Sequence, residues 1–155
     1  MRVMHVIDEL GVGGAERSLV ELARGAVQSG AQVSVCLTRG QDPPAWELPE
    51  GVPVERLRRG SRWQLSSAKR FHEALSRRQP HILHLHGRSS LAFAAAAQSL
   101  GVPTPPLLLH DHDGDGSRRA WVLRAARRRL ARYVASSPAL RARANRRRRP
   151  PSSGS

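Results

Sequence analysis

Two stretches of this 155-residue chain combine residue types that do chemistry with spacings that let them act together. The first is Asp8-Glu9-Leu10-Gly11-Val12-Gly13-Gly14-Ala15-Glu16-Arg17, a glycine-rich turn that runs straight into a helical pattern. Glycines let a backbone approach a ligand closely, and the free amides of a helix start favour a phosphate or another electron-rich group. It is not a dinucleotide fingerprint: Gly11 and Gly13 fit the first two glycines, but Glu16 stands at the third, and Leu37-Thr38-Arg39 stand where a ribose-binding acid belongs.

The second is the acidic, histidine-rich stretch His110-Asp111-His112-Asp113-Gly114-Asp115-Gly116, apart from which stand His84 and His86. An imidazole can orient a hydroxyl, stabilise developing charge or ligate a metal. Asp111, Asp113, Asp115 and Gly116 have the spacing that opens a calcium loop, but the closing glutamate is replaced by Val122, so the run reads as a loop with a helix cap. His84 and His86 fall on one face of a strand and can pair as ligands, yet no third ligand is assured. No metal site is expected, and His84 reads as a packed strand residue.

The elements that must position these groups alternate. Arg2 to Ile7 is a short apolar run before the glycine cluster, and Ala15, Leu19, Leu22, Ala23, Ala26 and Val27 then recur at helical spacing up to the stop at Ser29-Gly30. Gln32 to Leu37 predicts a second strand and Val52 to Arg56 a third. Ser66 to Arg78 predicts a helix ended by Pro80, and Ile82 to His86 a fourth strand. A helix over Ser89 to Leu100 with Gly101 as its C-cap leads to a fifth strand at Leu107 to Leu109. Ser117 can cap a helix to about Ala131, Tyr133 to Ser136 predicts a sixth strand, and Pro138 can open a last helix before a basic tail expected to be disordered. Such βαβ alternation predicts an α/β, Rossmann-like domain, a mostly parallel sheet with helices on both faces, whose ligands bind at the C-terminal strand ends.

Composition bounds the partners. Apolar residues at 39% and charged residues at 25% are ordinary globular values, and the length suits one domain. The net charge of +14 is not ordinary, and it is carried almost wholly by arginine, crowded into the C-terminal third. Such a surface seeks anions, among them nucleic acid, lipid headgroups and phosphorylated metabolites, and the arginine-rich C-terminal end favours an anionic membrane surface over nucleic acid. Nucleic acid is disfavoured, because 4% aromatics is too few for base-stacking platforms. Cys36 is the only cysteine, which excludes an internal disulfide and a thiolate-rich metal site. With neither a spanning apolar run nor a signal-like N-terminus, the expected location is cytoplasmic, with peripheral contact at the inner membrane face.

Gly-Val-Gly-Gly-Ala-Glu-Arg from Gly11 to Arg17 resembles the opening of the N-terminal domain of family 4 glycosyltransferases. Gln79 to Gly87 is similar to the family's fourth-strand pattern, and Leu100-Gly101-Val102-Pro103 with the apolar strand ending in histidine follows in the same order. Tyr133-Val134-Ala135-Ser136-Ser137 with Leu140 resembles the segment that closes the domain. The likeness covers about residues 1 to 144. It implies a GT-B enzyme, in which one Rossmann-like domain holds a glycan or lipid acceptor and a second binds the nucleotide sugar. Family members usually transfer with retention at the anomeric carbon and without a required metal or other cofactor.

By position, the resemblance implies that His112 stands beside the reacting sugar as the catalytic residue, and that Gly13, Gly14, Glu16, Arg17 and His86 lie at the donor sugar or its phosphates. Residues 1–145 are then the acceptor-side domain and 146–155 a tail. The donor domain with its paired glutamates is expected to be missing, since after Asn145 the chain reads Arg-Arg-Arg-Arg-Pro-Pro-Ser-Ser-Gly-Ser. Transfer then calls for a donor domain on another chain. The rival expectation is a non-catalytic binding module or gene fragment whose basic end docks on membrane or nucleic acid, and an out-of-frame ending would also account for the tail. An isolated lobe is expected to associate through an uncovered apolar cleft face.

Overall fold

A computed structural model describes residues 1–39, 47–60, 65–112 and 130–135. The strands are β1 (Arg2–Ile7), β2 (Gln32–Leu37), β3 (Val54–Arg56), β4 (Ile82–His86), β5 (Leu107–Asp111) and β6 (Leu130–Ala135), and the helices are α1 (Gly14–Gln28), α2 (Leu65–Arg78) and α3 (Gly87–Ser99). All neighbours in the sheet pair in parallel, in the order β3-β2-β1-β4-β5-β6. The order reverses between β1 and β4. At that switch point the connections leave the sheet in opposite directions and open a crevice at the carboxyl ends of the strands.

Period-two alternation sorts the strand residues between two faces. Met4, Val6, Cys36, Leu83, Leu85, Leu107 and Leu109 pack under α2 and α3 in a cluster that includes Phe71, Leu91 and Phe93. The Phe71 and Phe93 rings stand 5.2 Å apart in a tilted pair. On the opposite face α1 sets Leu19 and Val20 over Ile7, Val35 and Leu37. Leu22 and Val27, which the helical periodicity includes, lie outside this contact at 40% and 37% exposed. Cys36 is a packed strand residue, and burial pushes its thiol far above the ordinary range, with Glu55 adding to the shift.

The observed boundaries differ from the sequence expectations where tertiary pairing overrides local propensity. The helix expected to reach about Ala131 does not: Leu130 and Ala131 belong to β6, which begins three residues before Tyr133 because it hydrogen-bonds along the whole of β5. β5 itself continues beyond Leu109 to Asp111, since His110 pairs with both His86 and Val134. β3 is shorter than expected, starting at Val54; Pro53 has no N–H to donate, although its carbonyl accepts from the Val35 amide at 3.0 Å. α3 starts at Gly87, with no intervening loop after β4, and that residue carries a φ of +83°. Gly101, with a φ of +85°, is the left-handed residue just past the end of α3, as its place in the sequence predicts. The expected helices after Ser117 and Pro138, and the tail, lie outside the described residues.

Candidate functional site

Three strand ends are tied together beneath the glycine turn. The Thr38 hydroxyl donates to Asp8 Oδ1 at 2.6 Å, and Arg59 Nη2 donates to the same oxygen at 2.9 Å. Arg59 is 5% exposed, and its guanidinium lies 5.0 Å from the centre of the Phe93 ring. Asp8 follows β1, Thr38 follows β2 and Arg59 follows β3, so one carboxylate holds the ends of three strands in register. Leu10, 4% exposed, packs with Leu19 and Leu37 and pins the start of the turn to the sheet.

Above that anchor the turn is open. Val12 is 91% exposed, and Gly14 and Arg17 face solvent. Gly13 is the N-cap of α1 in extended conformation, with no side chain capping the helix, and its carbonyl accepts the first helical bond from the Arg17 amide. A β-carbon on Gly13 would collide with the Glu16 carboxylate, which folds back over the turn. A β-carbon on Gly14 would meet nothing within 4 Å. The Glu16 carboxylate therefore sits at the helix start, where its charge suits the macrodipole and where it competes with any incoming anion.

The second feature is a row of histidines. His5 pairs in register with His84, and His86 with His110. Paired residues of parallel strands share a face, as do residues two apart, so His5, His84, His86 and His110 all point away from α2 and α3, and His112 follows in phase. The rings form a continuous contact path: His5 to His84 4.9 Å, His84 to His86 4.5 Å, His86 to His112 5.6 Å and His110 to His112 4.0 Å between centroids. His5 Nδ1 and His86 Nε2 share a hydrogen bond of 3.0 Å. Burial falls outward, from His5 at 2%, His86 at 4% and His84 at 8% exposed to the half-buried His110 and His112 at the strand ends.

Burial lowers the histidine pKa values. It brings His5 to about 4, and, with repulsion from His5, His110 and His112, it brings His84 to about 3. His86 is held well below the ordinary value by burial and then by its four histidine neighbours. His110 is lowered by burial and His112, partly offset by Asp111. The inner imidazoles are therefore neutral at physiological pH.

Asp111 is fully buried on the opposite face of β5, where Arg88 Nε and Nη2 both donate to its Oδ2, at 3.1 and 2.8 Å. This removes Asp111 from the calcium-loop reading, because its carboxylate is committed to a buried guanidinium. Of the site residues expected from sequence, Gly13, Gly14, Glu16 and Arg17 stand together at the end of β1, and His86 and His112 stand together at the ends of β4 and β5. All lie along the same carboxyl edge, on either side of the switch point. Sequence reasoning missed His5, Arg59 and the Arg88–Asp111 pair. The only signal for His5 is its phase in β1, which becomes informative once β4 is known to be the neighbour. A concavity of about 370 Å³ opens at the other end of the strands, beside Arg2, Gln32, Glu50 and Arg78, away from these groups.

The family model described as Glycosyltransferase Family 4 matches residues 12–153. Among curated proteins no sequence matches significantly. Among solved structures, the sucrose-phosphate synthase from Thermosynechococcus elongatus superposes with a TM-score of 0.67 at 16% identity, covering 94% of this chain and 44% of that one. Anabaena HepE in complex with UDP and glucose gives 0.67 at 19% identity, covering 90% and 39%. The lipopolysaccharide outer core galactosyltransferase WaaB gives 0.70 at 13% identity, covering 97% and 43%. At these identities the likeness is one of fold, and the chain spans less than half the length of each of the three. Among the described residues no helix is long and apolar enough to cross a membrane.

Proposed function

The chain belongs to glycosyltransferase family 4 and has the fold of the N-terminal domain of GT-B glycosyltransferases, and from that premise we propose that it is the acceptor-side lobe for transfer of a sugar from a nucleotide sugar. A donor-binding lobe, on a longer form of this polypeptide or on a separate chain, completes the cleft. Residues 1–145 make the lobe and 146–155 a tail. The observation that carries the reading is the shared carboxyl edge, with an open, exposed glycine turn on one side of the switch point and the outermost histidines on the other. The exposed Val12 beside that edge suits a surface that a second lobe covers.

In this reading His112 is the catalytic residue, its imidazole orienting a hydroxyl or stabilising charge that develops at the reacting sugar. Gly14 lets the donor approach the α1 amides, and Arg17 meets its phosphates. Glu16 must leave the helix start for a phosphate to enter, or stay and accept hydrogen bonds from sugar hydroxyls beside Gly13. His86 lies directly behind His112 and holds the inner side of the donor-phosphate pocket. HepE was solved with UDP and glucose, which supports a nucleotide sugar as the donor class. A glycan or a lipid is the acceptor. The charge of +14 supports work at an anionic membrane surface on the cytoplasmic side, where a lipid acceptor would be met.

The test is a titration of the chain with a panel of nucleotide sugars at low and raised salt, alone and with a family 4 donor lobe added. Salt-resistant binding only when both lobes are present is the expected result. Salt-resistant binding of a nucleotide sugar to the chain alone would mean that this lobe holds the donor without a second lobe, and would sink the acceptor-side reading.

A further inference from the structure

Three imidazoles meet inside the sheet just below its carboxyl edge. His5 of β1 and His84 and His86 of β4 are each less than a tenth exposed, and each offers a ring nitrogen such that the three nitrogens lie within 4.8 Å of one another. Ligand nitrogens around a tetrahedral zinc ion stand about 3.3 Å apart, given Zn–N bonds of about 2.0–2.1 Å. Small ring rotations therefore bring the three onto one ion. The pairing of β1 with β4 makes this set, and it supplies the third ligand that His84 and His86 lack as a pair in the sequence.

His5 Nε2, His84 Nε2 and His86 Nδ1 are buried ring nitrogens with no hydrogen-bond partner. A native interior rarely leaves polar atoms unsatisfied; because the His5 Nδ1–His86 Nε2 hydrogen bond uses one N–H and one lone pair, one of the two remaining nitrogens carries a proton, and an ion that takes one nitrogen of each ring replaces that hydrogen bond. A neutral all-nitrogen set suits borderline divalent ions such as zinc, and it offers nothing to calcium or magnesium, which take oxygen. Three protein ligands leave a fourth position open. His86 also belongs to a second convergent set with the half-buried His110 and His112, toward the strand ends.

We propose that His5, His84 and His86 form a three-histidine site for a borderline divalent transition ion, zinc first, set in the sheet beneath the cleft. The bound ion locks the His86 ring and, through it, the position of His112. The family resemblance implies no metal for sugar transfer, and the site is inferred independently of that activity. Its role is to order the carboxyl edge, and its test reads binding rather than turnover.

The full chain, stripped with a chelator, is titrated with Co²⁺ followed by its visible absorption and with Zn²⁺ against a chromophoric chelator. One ion per chain is expected, with Co²⁺ bands of low coordination number. His5→Gln and His84→Gln should each weaken binding by ~100-fold or more, since each removes a direct ligand. The double variant His110→Gln/His112→Gln should lose no more than roughly tenfold, since these rings touch the ligands without holding the ion. Should the glutamine variants fail to fold, His84→Cys decides: a thiolate ligand adds a charge-transfer band to the Co²⁺ spectrum that a bystander residue cannot produce. A folded parent chain that takes up no stoichiometric ion overturns the proposal. So does an ion that survives His5→Gln and His84→Gln, is lost only from the double variant, or binds His84→Cys without the band.

Discussion

The two sides of the switch point are built in opposite ways. The glycine turn after β1 is open, with Gly14 facing empty space and Val12 almost wholly exposed, and among the described residues Leu10 and the Asp8 anchor tie it down. The histidine row across β1, β4 and β5 is packed ring against ring, and the end of β5 that carries its outer members is clamped from behind by the buried Arg88–Asp111 pair. Substitutions on the turn should thus be read in ligand binding, and substitutions around the row in stability.

The largest effect expected is on the clamp. Asp111→Ala leaves the Arg88 guanidinium buried without its carboxylate and should destabilise the domain by about 3–5 kcal/mol in denaturant unfolding. Replacing both partners, as Arg88→Met with Asp111→Leu, should recover most of that loss, because the desolvation cost disappears with the charges. A double variant as unstable as the single would mean that the pair's electrostatics are not what holds β5.

Next comes Gly87, at the junction of β4 and α3. Its φ of +83° penalises any side chain, so Gly87→Ala should lose about 1–2 kcal/mol although no neighbour blocks the new methyl group. Gly14→Ala is the matched control on the other side: the added methyl meets nothing, and the expected change in unfolding free energy is within about 0.5 kcal/mol. If the turn receives the donor, Gly14→Ala should nevertheless lower transfer by the completed enzyme roughly tenfold, the size of about 1.4 kcal/mol of lost binding. Normal transfer in a folded Gly14→Ala protein would break the comparison.

The smallest effect lies away from both regions. Burial alone would push the Glu55 carboxyl up, but hydrogen bonds from Arg77 and Arg78, each 2.8 Å long, outweigh it and hold the group below its ordinary value. A depressed carboxylate pKa stabilises the fold above the unfolded value of about 4.3 and is lost as pH falls through the folded value. Glu55→Gln should therefore remove a small part of the stability lost below about pH 4.3, shifting the melting temperature by no more than ~3 °C at neutral pH.

Much of the scaffold was legible because its signals are local. β1, β2 and β4 follow from apolar runs between turn residues, and their observed bounds match the expected ones. α1 follows from three- and four-residue spacing, and the end of α3 from Gly101. The fold class follows from the order of these signals, and the family from the motifs whose resemblance to family 4 the sequence carries, Gly11 to Arg17 and Gln79 to Gly87. β6 was misjudged at its start because Leu130 and Ala131 lie in an arginine- and alanine-rich stretch with helical propensity, and only the ladder along β5 makes them extended.

For the site, sequence alone determined the glycine turn, the histidine series and the edge of the sheet on which both should lie, since each rests on neighbours along the chain. Tertiary structure decided which side chains meet. His5 joins His84 and His86 only because β4 rather than β3 lies beside β1, and Asp111 leaves the acidic run for Arg88 only because α3 folds back over β5. Arg59 reaches Asp8 across three strand ends for the same reason. Contacts between residues far apart in sequence depend on strand order, and the alternation of elements constrains strand order without specifying it.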